Sequence, residues 1–297
     1  MDRWASASKP LVSFEFFPPT DPEMESTLWQ TVRRLAPLSP QFVSVTCGAD
    51  GSTKDRTQEV VQRLQAETAL TVAPHLTSIG SSRAEVLELA GRYWRSGIRH
   101  LVALRGDMPA AGVGTPDGTG GFEWGLDLVR ALRLVADFDI SVAAYPEVHP
   151  EARSARDDLD NLKAKIDVGA TRAITQFFFD NDAYLRFRDR CAAAGITAAI
   201  VPGILPILRF QQVQRFARRC GASIPAWIRQ RFEGLDDDAE TRRLLGAAVA
   251  LEQVEQLQRH GVTEFHFYTL NRGELSYAIC HALGIRAPAD GALSVRA

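Results

Sequence analysis

The sequence predicts an α/β protein folded as a single (β/α)8 barrel, also called a TIM barrel. Short β-rich runs alternate along the chain with longer stretches in which apolar residues recur at helical spacing. Eight strand–helix units can be counted, and several strands are nearly continuous apolar runs, as in a parallel sheet buried on both faces. A doubly wound open sheet is the alternative fold for the same alternation.

The limits of the predicted elements follow from the positions at which the hydrophobic period changes. The predicted strands are 11–17, 42–47, 71–77, 100–105, 140–145, 172–179, 198–205 and 264–270. The predicted helices are 24–36, 58–67, 83–95, 123–138, 154–168, 182–194, 210–220, 239–260 and 275–283. These elements predict one catalytic barrel over residues 11–286, with flexible ends at 1–10 and 287–297.

The composition argues against several classes of protein. Hydrophobic residues make up 45% and charged residues 24% of the 297 residues, which is the balance of an ordinary globular protein. A net charge of −2 offers no general attraction to nucleic acid or to an anionic membrane, and no apolar run is long enough to span a bilayer. The first residues lack a secretory signal, and the four cysteines have neither CxxC nor zinc spacing. We therefore expect a cytoplasmic protein with reduced thiols and no bound metal.

Barrel enzymes carry their active sites at the carboxyl-terminal ends of the strands, so polar residues there are candidates for chemistry. Glu15 stands inside the apolar run 12–17, immediately before Pro18 and Pro19. Burial should raise the pKa of this carboxyl group, and a carboxylic acid that stays protonated near pH 7 can act as a general acid. The alternative is a core glutamate paired with a buried arginine or lysine.

The predicted fourth strand ends in Arg105, Gly106 and Asp107. The guanidinium group suits phosphate or carboxylate recognition, and the carboxylate of Asp107 could accept hydrogen bonds from the N–H groups of a heterocycle. A mutual Arg105–Asp107 pair is the structural alternative. The glycine-rich stretch 106–121 that follows is either a functional loop or a tolerated insertion.

Other strand ends and one helix offer polar or aromatic groups. His75 and His149 have no metal-binding partner at helical spacing, which favours a hydrogen-bond donor over a metal ligand at each position. The alternative for each is an ordinary core or surface histidine. Gln176 has an amide that can donate and accept together, as the edge of a pterin or flavin requires. Phe216, on the helix after the seventh strand, has either a stacking role or an ordinary place in the core.

Several long segments of the sequence resemble those of the bacterial methylenetetrahydrofolate reductase family. They include VSFEFFPP at 12–19, PHLT at 74–77, GIRHLVALRGD at 97–107, DISVAAYPEVHPE at 139–151, RAITQFFFD at 172–180, VPGILPI at 201–207 and FHFYTLNR at 265–272. The resemblance spans residues 11–286. It implies a barrel that holds FAD noncovalently and reduces 5,10-methylenetetrahydrofolate to 5-methyltetrahydrofolate in a ping-pong reaction. The co-substrate would be NADH or NADPH, with NADH favoured.

The resemblance also implies roles for individual residues. Glu15 matches the general acid, and Asp107 is a second catalytic residue that contacts the pterin near the flavin. The matching FAD-binding positions are Thr46, His75, Arg105, Gly106, Asp107, Tyr145, His149, Asp158 and Lys165. The matching substrate-binding positions are Glu15, Asp107, Gln176, Gln212, Phe216 and Arg272.

One segment departs from the family pattern. A Tyr-Ala-Ser segment often precedes the helix after the fourth strand, but here a longer glycine-rich loop leads to Trp124-Gly125-Leu126, where Gly125 could offer only its backbone. Two other functions are possible for such a chain, namely a folate-dependent barrel methyltransferase and a noncatalytic folate- or flavin-binding module. The family resemblance further implies a homo-oligomer, either a dimer or a tetramer.

Overall fold

The structure is a computed structural model that describes residues 9–48, 53–77, 81–106, 122 and 125–287. Its strands are all parallel and follow one another around a barrel in the order β7-β6-β5-β4-β3-β2-β1-β9-β8. They are β1 Leu11–Phe16, β2 Val43–Val45, β3 Val72–Thr77, β4 His100–Leu104, β5 Asp139–Ala144, β6 Arg172–Thr175, β7 Ala199–Val201, β8 Gly203–Ile204 and β9 Glu264–Tyr268. The (β/α)8 barrel prediction is confirmed. The doubly wound sheet is excluded because the strands from β1 to β7 follow one another in chain order without a reversal, and the first strand, β1, pairs with the last, β9.

The predicted strand 198–205 is one strand broken in two at Pro202. The first half, β7, pairs with β6, whereas the second half, β8, pairs with β9. Proline has no backbone N–H and therefore cannot donate to the ladder, but its carbonyl still accepts a hydrogen bond from the His266 N–H at 3.0 Å. This strand closes the barrel by changing its partner at the proline.

Helices surround the strands. They are α1 Pro22–Leu35, α2 Lys54–Glu67, α3 Arg83–Arg95, α4 Gly125–Val135, α5 Ala155–Asp167, α6 Asn181–Ala193, α7 Phe210–Cys220, α8 Ala226–Phe232, α9 Ala239–Arg259 and α10 Gly273–Ala282. Several begin at a side chain that satisfies the unpaired N–H groups of the first turn. Asp21 accepts from the Met24 N–H at 2.8 Å, and Ser82 and Glu85 form a reciprocal capping box at the start of α3.

Two parts of the sequence prediction are wrong. The predicted strand 172–179 ends at Thr175, because the phenylalanines that follow pack as a loop and Asp180 caps α6. Helix α8 was not predicted, since its seven residues are too few to show a clear helical period. The predicted flexible ends lie almost wholly outside the described residues, as does most of the glycine-rich stretch 106–121.

The interior of the barrel is polar as well as apolar. Successive strand residues point to opposite faces, so large apolar side chains such as Phe14 and Phe265 face the helices. A cluster near the start of the strands connects Arg172 Nη1 with Asp139 Oδ2 at 3.2 Å, and His100 Nε2 with the Ser141 hydroxyl at 2.8 Å. His100 Nδ1 lies 3.8 Å from Asp139 Oδ2.

The protonation of this cluster follows from its burial. Burial lowers the pKa of His100 to about 4, although the nearby Asp139 carboxylate acts in the opposite direction. The pKa of Asp139 lies below its ordinary value, because His100, the Thr171 hydroxyl and Arg172 outweigh the opposing effect of burial. His100 is therefore neutral at pH 7.

We predict that His100 makes stability depend on pH. Between the unfolded pKa of about 6.5 and the folded value of about 4, the unfolded chain binds more protons. The free energy of unfolding should therefore fall as pH falls through this window, by up to about 3 kcal/mol for this residue. Urea unfolding of wild type and His100→Gln from pH 8 to pH 4.5 tests this. The variant should lose less stability than wild type below pH 6.5, while the two curves run parallel above pH 7.5; parallel curves throughout would contradict the prediction.

Candidate functional site

Glu15 lies near the carboxyl end of β1, and its side chain faces two histidines. Its Oε2 atom is 3.4 Å from His75 Nε2 on β3 and 3.7 Å from His266 Nε2 on β9. Both imidazoles are buried, whereas the Glu15 side chain keeps 20% of its exposure. The described ionic neighbours of Glu15 are thus imidazoles, not the arginine or lysine considered as an alternative.

His266 was not predicted as a site residue. Its Nδ1 atom lies 2.7 Å from the Ser13 hydroxyl, and both groups are buried. The alternation Glu264, His266, Tyr268 against Phe265 and Phe267 could have revealed it, because period two places the polar residues on the inner face. Sequence analysis assigned this strand by its apolar content and considered only its end.

The histidine pair leaves two polar atoms without a partner. Neither His75 Nε2 nor His266 Nε2 has a hydrogen-bond partner among the described residues, although both are buried and point toward the same carboxyl oxygen. Burial lowers the pKa of His75 to about 4, with Glu15 acting in the opposite direction, so this imidazole is neutral at pH 7. Over the described ranges, no three His, Cys, Asp or Glu side chains are grouped so as to hold a metal ion.

The loop after β9 fixes the end of β1. The Thr269 hydroxyl donates to the Glu15 carbonyl at 2.6 Å, while the Asn271 amide accepts from the Phe17 N–H at 3.0 Å and donates to the Phe17 carbonyl at 2.8 Å. Leu270 and Asn271 both adopt positive φ angles, 49° and 56°. Residues 269–272, with the sequence TLNR, therefore fix the backbone at Glu15 and Phe17 by hydrogen bonds.

Tyr268 closes the other side of the acid. Its hydroxyl donates to the Thr175 carbonyl at 2.8 Å. The pKa of Tyr268 lies well above its ordinary value, first because of burial and then because Glu15 and Tyr145 stand nearby. Tyr268 thus connects the Glu15 region with the end of β6.

A second group of candidate residues surrounds the loop after β5 and helix α5. The His149 N–H donates to Asp158 Oδ2 at 3.0 Å, and the His149 ring packs edge-on against Tyr145 with centroids 4.5 Å apart. Burial lowers the pKa of Lys165, with Asp158 opposing and Arg105 adding to the shift. Arg105 forms an ion pair with Glu151. Five of the residues predicted for FAD are thus neighbours in the structure.

The remaining FAD positions are less informative. The Thr46 N–H donates to the Phe16 carbonyl at 2.9 Å, and the Thr46 carbonyl accepts from the Thr57 hydroxyl, so its backbone is fixed beside β1. Gly106 adopts a φ of 88°, which favours glycine. Asp107 lies outside the described residues, and so does the suggested Arg105–Asp107 pair.

Three of the predicted substrate residues line one cavity of about 420 Å³ beside the mouth of the barrel. Gln212 and Phe216 reach it from α7, and Arg272 from the loop after β9, with Phe17 and Asn271 at the side of β1. Gln176 is not among its lining residues. Its Oε1 atom accepts from the Phe177 N–H at 3.0 Å, which leaves the amide nitrogen to face another partner.

The carboxyl group of Glu15 and its two buried imidazole neighbours thus lie at the carboxyl ends of the strands of a (β/α)8 barrel, where barrel enzymes carry their active sites. A family model described as Methylenetetrahydrofolate reductase matches residues 1–284. The chain is 58% identical to the 5,10-methylenetetrahydrofolate reductase of Escherichia coli (strain K12) over 275 residues, which cover 93% of this chain and 91% of that protein. The chain therefore belongs to the methylenetetrahydrofolate reductase family, and it is an oxidoreductase with methylenetetrahydrofolate reductase activity.

Two further comparisons extend this result. The Arabidopsis thaliana protein named Methylenetetrahydrofolate reductase (NADH) 1 is 35% identical over 92% of this chain and 48% of its own length. A solved structure of a Clostridium thermocellum protein, described as binding two copies of 5-methyl-5,6,7,8-tetrahydrofolic acid, superposes with a TM-score of 0.62. It covers 94% of this chain and 96% of that chain at 16% identity, so it supports the fold alone. Among the described helices, none is long and apolar enough to cross a membrane.

Gly203 gives this site a steric requirement. A Cβ atom at Gly203 would lie 2.2 Å from the Thr175 carbonyl oxygen and 2.5 Å from Tyr268 Cε2. Both are partners in the hydrogen bond that holds Tyr268 beside Glu15. Any side chain at this position would push the two apart.

We predict that Gly203→Ala lowers the free energy of unfolding by about 1–3 kcal/mol, because overpacking must displace Tyr268 or β6. The matched control is Gly91→Ala in α3, where the new Cβ would meet only the movable end of Arg95 at 3.2 Å. This control should be as stable as wild type or more stable, since alanine favours helix over glycine. Urea unfolding measures both, and a Gly203→Ala variant with wild-type stability would show that the close approach is relieved at no cost.

Proposed function

We propose that the barrel over residues 11–286 reduces 5,10-methylenetetrahydrofolate to 5-methyltetrahydrofolate with bound FAD, NADH as the favoured hydride donor and Glu15 as the general acid. The single observation that carries this proposal is the Glu15 carboxyl group at the barrel mouth, with the buried Nε2 atoms of His75 and His266 facing it. Methylenetetrahydrofolate reductases are generally flavin-dependent, which supports the choice of cofactor.

The residues around α5 fit the diphosphate of FAD. Lys165 and Arg105 supply positive charge, and Lys165 is partly buried, with Asp158 as a nearby opposite charge. A Cβ atom at Gly125 would lie 3.6 Å from Lys165 Cε and 3.8 Å from the Arg105 backbone nitrogen, so the first turn of α4 lies against both. The N-terminus of a helix favours phosphate, because its first N–H groups are unpaired and its dipole is positive there.

Bound FAD would supply a hydride carrier, so that the nicotinamide and the folate react in two separate half-reactions. The protein's own contribution to the second half-reaction is acid catalysis. In the folate, one carbon bridges N5 and N10. Protonation of N10 by Glu15 lets the bond between that carbon and N10 break, and its electron pair goes to N10, which leaves an iminium at N5. That carbon then becomes the hydride acceptor.

The two histidines orient the acid in this scheme. If the Ser13 hydroxyl donates to His266 Nδ1, the proton of this imidazole is on Nε2 and points toward Glu15 Oε2. His75 is neutral at pH 7 and has its own Nε2 beside the same oxygen. Both imidazoles thus lie on the Oε2 side of the carboxyl group, and Oε1 is left to face the substrate.

The cavity beside the mouth of the barrel suits the other end of the folate. Phe216 offers a flat face to the aminobenzoyl ring, and the guanidinium of the exposed Arg272 suits the carboxylates of the glutamate. Gln212 and Gln176 have amides that can bind the polar edges of the rings. The catalytic role of Asp107 stays a prediction from the family resemblance, as does a homo-oligomeric dimer or tetramer. A cytoplasmic location stays a prediction from the composition and the cysteine pattern. The name of the Arabidopsis relative supports NADH as the donor.

Anaerobic spectroscopy of the purified protein tests the proposal. The protein should be yellow, NADH should bleach it faster than NADPH, and 5,10-methylenetetrahydrofolate should then restore the colour. A folate-dependent methyltransferase or a noncatalytic folate-binding module would show no flavin that NADH reduces. A noncatalytic flavin-binding module would not be reoxidised by the folate.

We predict that Glu15→Gln keeps its FAD and its oxidation of NADH with an artificial acceptor, but reduces methylenetetrahydrofolate at least about 100-fold more slowly. Glutamine retains the size of the side chain and cannot supply the proton. The exposed Glu252→Gln on α9 is the matched control, and both half-reactions should proceed at wild-type rates in it. Folate turnover near the wild-type rate in Glu15→Gln would reject the general-acid role.

We predict that Lys165→Met weakens FAD binding by about tenfold, because it removes a partly buried cation from the diphosphate region. Lys163→Met is the control on the same helix, since Lys163 forms an ion pair with Asp167 instead. Release of FAD from the diluted holoenzyme can be followed by flavin fluorescence. Equal release from both variants would remove Lys165 from the cofactor site.

A further inference from the structure

A carboxylate outside the predicted FAD-binding set ties the loop after β5 to the chain beyond α7. The Ser223 N–H lies 3.2 Å from Glu147 Oε1 and 3.0 Å from Oε2, and the Ser223 hydroxyl also donates to Oε1. Hydrogen bonds to a charged acceptor are stronger than those between neutral groups. We call this pair of residues the Glu147–Ser223 clamp.

The clamp adjoins a strained residue. Val148 has a φ of 80°, and a β-branched side chain rarely adopts this left-handed conformation. Such a conformation persists only where surrounding contacts impose it, and it is found preferentially at functional sites. Val148 stands between the clamped Glu147 and the FAD candidate His149.

Contacts on both sides hold Val148 in this conformation. On the side that follows it, the His149 N–H is bonded to Asp158 and the ring rests against Tyr145. On the other side, Glu147 is bonded to Ser223. Next to the clamp, a Cβ atom at Gly221 would lie 3.0 Å from Pro150, so the chain after α7 packs closely on the same loop.

We propose that Glu147 and Ser223 are positioning residues for FAD, which hold Val148 in its left-handed conformation and so present Tyr145 and His149 to the cofactor. This inference rests on the proposed function, because it assigns the loop after β5 to the flavin. The clamp touches no predicted FAD position directly and acts through the backbone of Val148. Without it, the loop relaxes to a conformation in which His149 and Tyr145 are displaced, and the apparent affinity for FAD falls with the population of the competent loop.

Release of FAD from the holoenzyme tests the clamp. Ser223→Ala, an exposed position, should release FAD about tenfold faster than wild type, since it loses one hydrogen bond to a charged group. Ser223→Thr retains both donors and should release FAD at the wild-type rate. Glu252→Gln, which breaks an ion pair between α8 and α9, controls for the loss of an exposed carboxylate.

A second substitution separates positioning from a purely structural tie. Val148→Gly removes the strain, because glycine adopts a φ of 80° readily. In the Ser223→Ala background it should return the release rate most of the way to wild type. A purely structural tie would instead lower the thermal unfolding midpoint equally at every FAD concentration and leave the release rate unchanged.

The outcomes distinguish this inference from the proposed function. A wild-type protein that binds no FAD overturns both. If the wild-type protein holds FAD and Ser223→Ala releases it at the wild-type rate, the clamp is overturned and the proposed function stands. Faster release that Val148→Gly does not reverse would also overturn it, since the effect would not pass through Val148.

Discussion

The interior of the barrel imposes one constraint on the rest of the structure, because polar groups there are cut off from water and must satisfy one another. An unpaired buried polar group costs free energy, so Ser13 is paired with His266 and Ser141 with His100. Burial also favours neutral imidazoles, as the lowered pKa values of His75 and His100 show. The barrel thus holds polar side chains at its centre while adding little net charge.

Beside Glu15 this mutual satisfaction is incomplete. The Nε2 atoms of His75 and His266 are buried without a described hydrogen-bond partner, and both face Glu15 at distances too long for a good hydrogen bond. The backbone around Glu15 is, by contrast, fixed by Thr269 and Asn271. A rigid frame around a side chain with unused donors beside it is suited to an acid that must change its partner during a reaction.

The sequence predicted the barrel because alternating hydrophobic periods record burial directly, and it drew attention to Glu15 because a carboxylate inside an apolar run is unusual. It did not predict the contact between Ser13 and His266, since a pairing between residues 253 positions apart leaves no local pattern. It missed His266 itself because only the end of that strand was considered. The predicted strand 172–179 was too long, because here a local pattern was present but misleading. Its phenylalanines have strand propensity, but tertiary packing uses them in a loop. Val148 could not be foreseen either, because valine ordinarily avoids a positive φ.

The break in the strand at Pro202 links the closure of the barrel to the surroundings of Glu15. The Pro202 carbonyl accepts from the backbone N–H of His266, whose side chain faces Glu15, and Gly203 immediately after it lies against Tyr268. His266 of β9 therefore takes part both in the closure of the barrel at Pro202 and in the surroundings of Glu15. Any redesign that cuts, permutes or loosens the barrel between β8 and β9 would also disturb the surroundings of Glu15, so a permuted protein would keep the geometry around this carboxyl group more readily if opened elsewhere.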